Sequence, residues 1–163
     1  MKILGIGNAI VDVICKVQDK FLSQNNLSKG NMKLLFDENE FKKLLGNLKI
    51  EKTISGGSVA NSIVGLSQQG NKVGFIGKVS DDELGKEYEI GLKKENVEYM
   101  YSKKKENLPT GTCLILVTPD SERTMCTYLG TAGKINENDI NINAVNNSEI
   151  VFLEGYLWDE GDP

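Results

Sequence analysis

Histidine is missing from the 163-residue chain, and with it go the Ser-His-Asp triad, the Cys-His pair and every metal site that needs an imidazole. Any catalysis must rest on carboxylates, Lys, Arg, Tyr, Cys or backbone dipoles. Cysteine is sparse: Cys15, Cys113 and Cys126 are odd in number and lack C-x-x-C spacing, so neither a disulfide framework nor a structural zinc site is read, and a reducing, cytoplasmic setting is expected. No apolar run approaches the roughly 20 residues of a membrane helix, and Asn8 and Asp12 interrupt the apolar start where a signal peptide would be unbroken. Basic residues are outnumbered 19 to 23, the net charge is -4 and no basic run exceeds Lys103 to Lys105, which excludes a nucleic-acid footprint. A P-loop is lacking too, since Lys72 holds the first-glycine place ahead of Gly77-Lys78 and Val79 stands where Ser or Thr would meet magnesium. Gly5-Ile6-Gly7 starts like a dinucleotide fingerprint, but Ile10 fills the third glycine's place and an alternating strand follows instead of a helix.

What remains is the composition of one soluble globular domain, 39% hydrophobic and 26% charged, long enough to bury a sizeable core. Lys2 to Gly7 reads as a buried strand, and Val11, Val13, Cys15 and Val17 alternate with polar neighbours as a second. Met32 to Phe36 is another short strand. Asp37 and Glu40 have the spacing of a capping box, and Phe41, Leu44, Leu45 and Leu48 follow at helical intervals. Thr53-Ile54 predicts a strand, Ser55 to Ser58 a glycine turn, and Val59 to Leu66 a helix stopped by Gly70. Val73 to Ile76 is the next strand, with Asp81-Asp82-Glu83 opening a helix through Leu84, Tyr88 and Leu92. Such βα alternation implies a mainly parallel sheet with helices on its faces. From Val97 the pattern turns to β, with Val97 to Tyr101, Gly111 to Thr118 and Arg123 to Leu129 expected to form an antiparallel sheet, and Ile150 to Leu153 returns to a continuous apolar strand. Asp162-Pro163 has the form of a helix start.

Two groups of residues stand out chemically. Asn8 and Asp12 flank the carboxyl end of the first strand, where open α/β sheets bind ligands; a strand cap facing solvent is the plainer alternative. Gly56 and Gly57 let the backbone approach a ligand, with Asn61 on the first turn of the following helix, although a tight turn would use the same residues.

Leu4-Gly5-Ile6-Gly7-Asn8-Ala9-Ile10-Val11-Asp12, then Gly56-Gly57-Ser58-Val59-Ala60-Asn61, then Gly74 to Gly85 resemble, in order and spacing, the amino-terminal half of the PfkB (ribokinase-like) carbohydrate and nucleoside kinases, most of all the adenosine-kinase-like branch. Val59, Ile63 and Ser80 depart from the family's usual small residues and glycine. The resemblance spans essentially residues 1–163. It implies an α/β body with a small β-sheet lid at approximately 11–17, 32–36, 97–103 and 111–129. It also implies that Asn8, Asp12, Gly56, Gly57 and Asn61 hold sugar hydroxyls, with Met32, Leu34, Cys113 and Ile115 covering a base or sugar. By the same resemblance Glu154 lies near the sugar and Arg123 near phosphate, against the plainer readings of a structural ion pair and a solvated hairpin residue. The implied activity is ATP- and Mg2+-dependent phosphorylation of a primary hydroxyl of a nucleoside or sugar. Alternatives are a ribokinase- or fructokinase-like sugar kinase and a noncatalytic sugar-binding protein. The family's glycine-alanine-glycine-aspartate signature, which supplies the catalytic base, does not occur in the sequence. The base and the nucleotide site are therefore expected beyond Pro163, and the given chain is expected to be inactive by itself. The implied partners are a small-molecule sugar or nucleoside and a second copy through the lid, with neither nucleic acid nor membrane.

Overall fold

The computed structural model describes residues 2–102, 104–159 and 161. Its order is β1 (Ile3–Ile6), β2 (Ile10–Lys16), α1 (Asp19–Gln24), β3 (Met32–Leu35), α2 (Glu38–Leu45), β4 (Ile50–Gly56) and α3 (Ser58–Gln68). There follow β5 (Val73–Ile76), α4 (Glu83–Lys94), β6 (Glu98–Tyr99), β7 (Gly111–Val117), β8 (Arg123–Tyr128), α5 (Ile142–Asn146) and β9 (Ile150–Leu153).

The strands form two sheets. One is wholly parallel, in the order β6-β5-β1-β9. Alternation along its buried strands gives each face its own helices, as the βα grammar requires. Ile3, Val73 and Phe75 pack with Val59, Ile63, Tyr88 and Leu92 of α3 and α4, while Leu4, Ile6 and Ile76 meet Ala144 of α5, Ile135 and Leu157. Among the described residues no helix is long and apolar enough to cross a membrane.

The second sheet runs β3-β8-β7-β2-β4 and is mixed: β8/β7 and β2/β4 are antiparallel, β3/β8 and β7/β2 parallel. One face, with Val11, Val13, Cys15, Leu114, Leu116, Cys126 and Tyr128, is buried against Leu22 of α1 and Phe41 and Leu44 of α2, where the Phe41 and Tyr128 rings stack at 5.5 Å. The opposite face is open. It carries Met32, Ile54 and Met125, exposed at 51%, 41% and 36%, beside a small cluster of Ile10, Cys113, Leu129 and Ala132.

The structure differs from the sequence reading in two strand placements. The expected lid strand at 97–103 belongs instead to the parallel sheet, where Glu98 and Tyr99 pair with Gly74 and Phe75. Aromatic packing draws it there: the Tyr99 ring lies 6.5 Å from Phe75 and 5.9 Å from Tyr88, and its hydroxyl donates to the Gly77 carbonyl at 2.6 Å. Lys103, at the end of that expected segment, lies outside the described residues. The Thr53-Ile54 strand, read as part of the α/β body, runs antiparallel to β2 in the second sheet, with Ile54 opposite Asp12. Two short helices also arise without being anticipated, α1 and, in the Asn-rich stretch, α5, where Asn141 accepts from the Ala144 amide at 3.1 Å. The helix after Asp37 forms as α2 with Asp37 as its cap, accepting from the Asn39 amide at 2.8 Å. Glu40 does not close the box, because its carboxylate takes Lys33 at 2.7 Å. The expected helix start at Asp162-Pro163 lies outside the described residues.

A buried charge cluster fastens the loops at the carboxyl end of β5. The Lys78 ammonium reaches Asp139 Oδ2 at 2.9 Å, and Lys104 reaches Oδ1 at 3.0 Å. Burial alone would raise the Asp139 carboxyl, but the hydrogen bonds from Lys78 and Lys104 hold it below its ordinary value.

Candidate functional site

The two sheets meet just beyond the carboxyl end of β1, and a cavity of about 320 Å3 opens there. A larger cleft of about 580 Å3 lies between β4 and helices α3 and α4. Several of its polar groups are engaged with one another, Thr53 with Glu87 at 3.1 Å and Ser55 with the Tyr88 carbonyl at 3.1 Å. The smaller cavity instead holds a buried polar atom, Asn8 Oδ1, that has no partner among the described residues, the kind of group that a ligand can satisfy.

Asn8 follows β1 and is only 8% exposed. Its Nδ2 donates to the Tyr156 carbonyl at 3.0 Å, while its buried Oδ1 has no hydrogen-bond partner among the described residues. Such an orphaned acceptor costs about 1–3 kcal/mol until a donor arrives. Asp12 stands on β2 with Cys113 of β7 as one neighbour and Ile54 of β4 as the other, so its side chain shares the open face of the sheet with theirs. Burial pushes its carboxyl up to about 6. The carboxylate lies flat against Gly56, where an added Cβ would fall 2.4 Å from Oδ2.

Gly57 makes the turn from β4 into α3 at φ +97°, and a Cβ there would lie 2.4 Å from the Asn8 carbonyl oxygen. Only glycine combines that dihedral with that approach. As the N-cap of α3 it offers no side-chain cap. Instead the Ser58 hydroxyl donates to Glu154, which follows β9. Asn61, one turn into α3, lines the cavity with its side chain while its amide bonds the Gly57 carbonyl at 2.8 Å.

Across the cavity the wall is apolar, formed by Met32 and Leu34 of β3, Cys113 of β7, and Met125 and Thr127 of β8. Register explains the set, since Met32 pairs with Met125, Leu34 with Thr127, and Thr127 with Cys113. The Thr127 hydroxyl donates to Cys113 Sγ at 3.3 Å. Burial nevertheless pushes the thiol up to about 11, so Cys113 packs rather than reacts.

Of the residues singled out in the sequence, the cavity brings together Asn8, Asp12, Met32, Leu34, Gly57, Asn61, Cys113 and Glu154. It leaves out three. Gly56 gives room to Asp12 from behind and accepts from the Tyr88 hydroxyl at 3.2 Å. Ile115 lies two residues beyond Cys113 and packs beside the Ile10 cluster, and Arg123 is exposed at the start of β8, two residues before Met125. The sequence reading missed Ile10, Ser58, Met125, Thr127, Leu129, Tyr156 and Asp159, which also line the cavity. Alternation along β8 put Met125 and Thr127 on one face, a legible signal; nothing local marked Tyr156 or Asp159.

A model of the pfkB family carbohydrate kinases matches residues 7–163. Among solved structures, the chain is similar to the adenosine kinase of Sinorhizobium meliloti, with 35% identity and a TM-score of 0.88 over 97% of this chain and 48% of that one. A probable sugar kinase from Rhizobium etli gives 34% identity and the same TM-score, again over 97% of this chain and 48% of that one. A curated relative, the 5-dehydro-2-deoxygluconokinase of Mesomycoplasma hyopneumoniae, is 28% identical over 128 residues, 77% of this chain and 38% of the relative. The chain thus spans half or less of the length of these proteins. Two sheets joined at a cavity of this make-up, and a family match along nearly the whole sequence, lead to one assignment: the chain belongs to the pfkB family of carbohydrate kinases.

Proposed function

We propose that the chain carries the acceptor site of an ATP-dependent kinase that phosphorylates a primary hydroxyl of a nucleoside. One observation supports this reading above others: a buried, partnerless Asn8 oxygen and the Asp12 carboxyl face an apolar wall across one cavity. In this reading vicinal sugar hydroxyls donate to Asp12, a further hydroxyl donates to Asn8 Oδ1, and the Asn61 amide completes the polar rim. Met32, Leu34 and Met125 cover the flat base, for which polarizable thioethers are well suited. Holding the sugar at several points fixes the acceptor hydroxyl, and fixing it is the main contribution a protein makes to phosphoryl transfer.

ATP and magnesium belong to the proposal through family membership. Among the described residues no group of three or more Cys, Asp or Glu could hold a metal ion, so these residues do not build a magnesium seat and no step is routed through one. The curated relatives named 5-dehydro-2-deoxygluconokinase support a second reading, a kinase of sugar acids.

Calorimetric titration of adenosine, ribose and fructose into the protein tests the reading. Adenosine should bind most tightly, and Asp12→Ala should weaken it by about tenfold to a hundredfold, the worth of one charge-assisted hydrogen bond. A free sugar binding at least about tenfold better than adenosine, roughly 1.4 kcal/mol, would transfer the proposal to a sugar kinase.

A further inference from the structure

We infer, resting on the acceptor site proposed above, that this site selects by charge: Glu154, seated at the amino end of α3 in a cavity also lined by Asp12 and Asp159, admits uncharged or cationic polyols and turns away sugar acids and sugar phosphates. Among the described residues the lining of the cavity contains these three acidic side chains and neither Lys nor Arg. The basic residues nearby have other roles. Lys78 is buried and committed to Asp139, Lys33 pairs with Glu40, and Arg123 stays outside the cavity at the start of β8.

The amino end of α3 would otherwise be the natural place for an anion. It is an eleven-residue helix whose N-cap, Gly57, supplies no side-chain acceptor, and helix amino ends carry partial positive charge. Here the chain fills that seat itself, because Ser58, the first residue of the helix, donates its hydroxyl to Glu154. An anionic substrate would have to displace a protein carboxylate from this position and enter a cavity lined by two more. Asp12 carries its charge above about pH 6, so its carboxylate form predominates at neutral pH and adds to the repulsion. The orphaned Asn8 Oδ1 shows what the site does ask for, a hydroxyl donor. Charge selection therefore separates the two readings of the proposed function, favouring nucleosides and neutral sugars over sugar acids.

The test uses pairs of ligands alike in shape and different in charge: adenosine against adenosine 5′-carboxylate, and fructose against 2-ketogluconate. At low ionic strength the anionic member of each pair should bind at least about tenfold more weakly. The ratio should narrow about threefold or more when salt is raised, and again in Glu154→Gln, which keeps the acceptor for Ser58 but removes the charge. Asp159→Asn, checked like the first variant by its melting curve, provides a second route to the same narrowing. An anionic member that binds as well as its neutral partner, or a ratio that neither substitution moves, would overturn charge selection while leaving the acceptor site standing. Failure of all four ligands to bind would bring down the acceptor site and this inference with it.

Discussion

Replacing Asp12 by Asn should make the unliganded protein more stable at neutral pH while spoiling its site. The carboxyl is half-buried, faces Cys113 and Ile54 across the sheet, and is shifted by burial alone, from 3.8 to about 6. At about 1.36 kcal/mol per pH unit, that shift disfavours the charged form by about 3 kcal/mol, and partial exposure screens this to about 1–2 kcal/mol. Because the folded state holds the proton more tightly than the unfolded one, the stability contributed by this group is present below pH 3.8 and lost as the pH rises through about 6. Asn has no such titration. At pH 8 the Asp12→Asn protein should therefore melt about 2–8 °C above the parent, at roughly 2–4 °C per kcal/mol for a chain of this size, and the gap should close towards pH 4. Melting curves of both proteins by circular dichroism between pH 4 and pH 8 measure it. Equal melting temperatures at pH 8, or a gap independent of pH, would refute the assignment of Asp12 as a desolvated carboxylate waiting for hydroxyl donors.

Asp139→Asn should act in the opposite direction, since it removes the nearer carboxylate partner of the buried Lys78 ammonium and leaves it Glu106 at 3.5 Å and the Lys134 carbonyl at 3.3 Å; a loss of about 1.5–3 kcal/mol in urea unfolding is expected, and an unchanged midpoint would show the cluster to be idle. The same lowered carboxyl makes the parent lose this stabilisation as the pH falls below 3.8. The free edge strand β9 exposes Ile150, Val151, Phe152 and Leu153, Ile150 at 53% and Leu153 at 49%. The chain should therefore self-associate at micromolar concentration, and Val151→Lys should suppress it; sedimentation as a monomer at every concentration would contradict this.

The alternation of Val11, Val13 and Cys15, the apolar run Val73 to Ile76 and the helical spacing from Phe41 to Leu48 each encode a face to be buried. For that reason, and unlike the short helices α1 and α5, these elements, the α/β class and the family were legible in the residues alone. So was the polar half of the site, because Asn8, Asp12, Gly57 and Asn61 sit at strand ends and a glycine turn whose local geometry is written in neighbouring residues. Alternation specifies which side of a strand is dry but not which strand lies beside it. Hence β4 and β6 exchanged sheets relative to expectation: a Tyr99 ring packed on Phe75 and Tyr88, and an Ile54 registered against Asp12, are contacts across more than 10 residues of chain that no local pattern records. The rest of the cavity was settled in the same way. Tyr156 reaches Asn8, and Asp159 the same cavity, only because β9 pairs with β1 across about 150 residues of sequence, and Glu154 meets Ser58 only because that pairing delivers it to the amino end of α3. Local chemistry thus determined which residues offer polar groups at strand ends and turns, whereas long-range strand pairing decided which of them share one cavity and which acidic side chains line it.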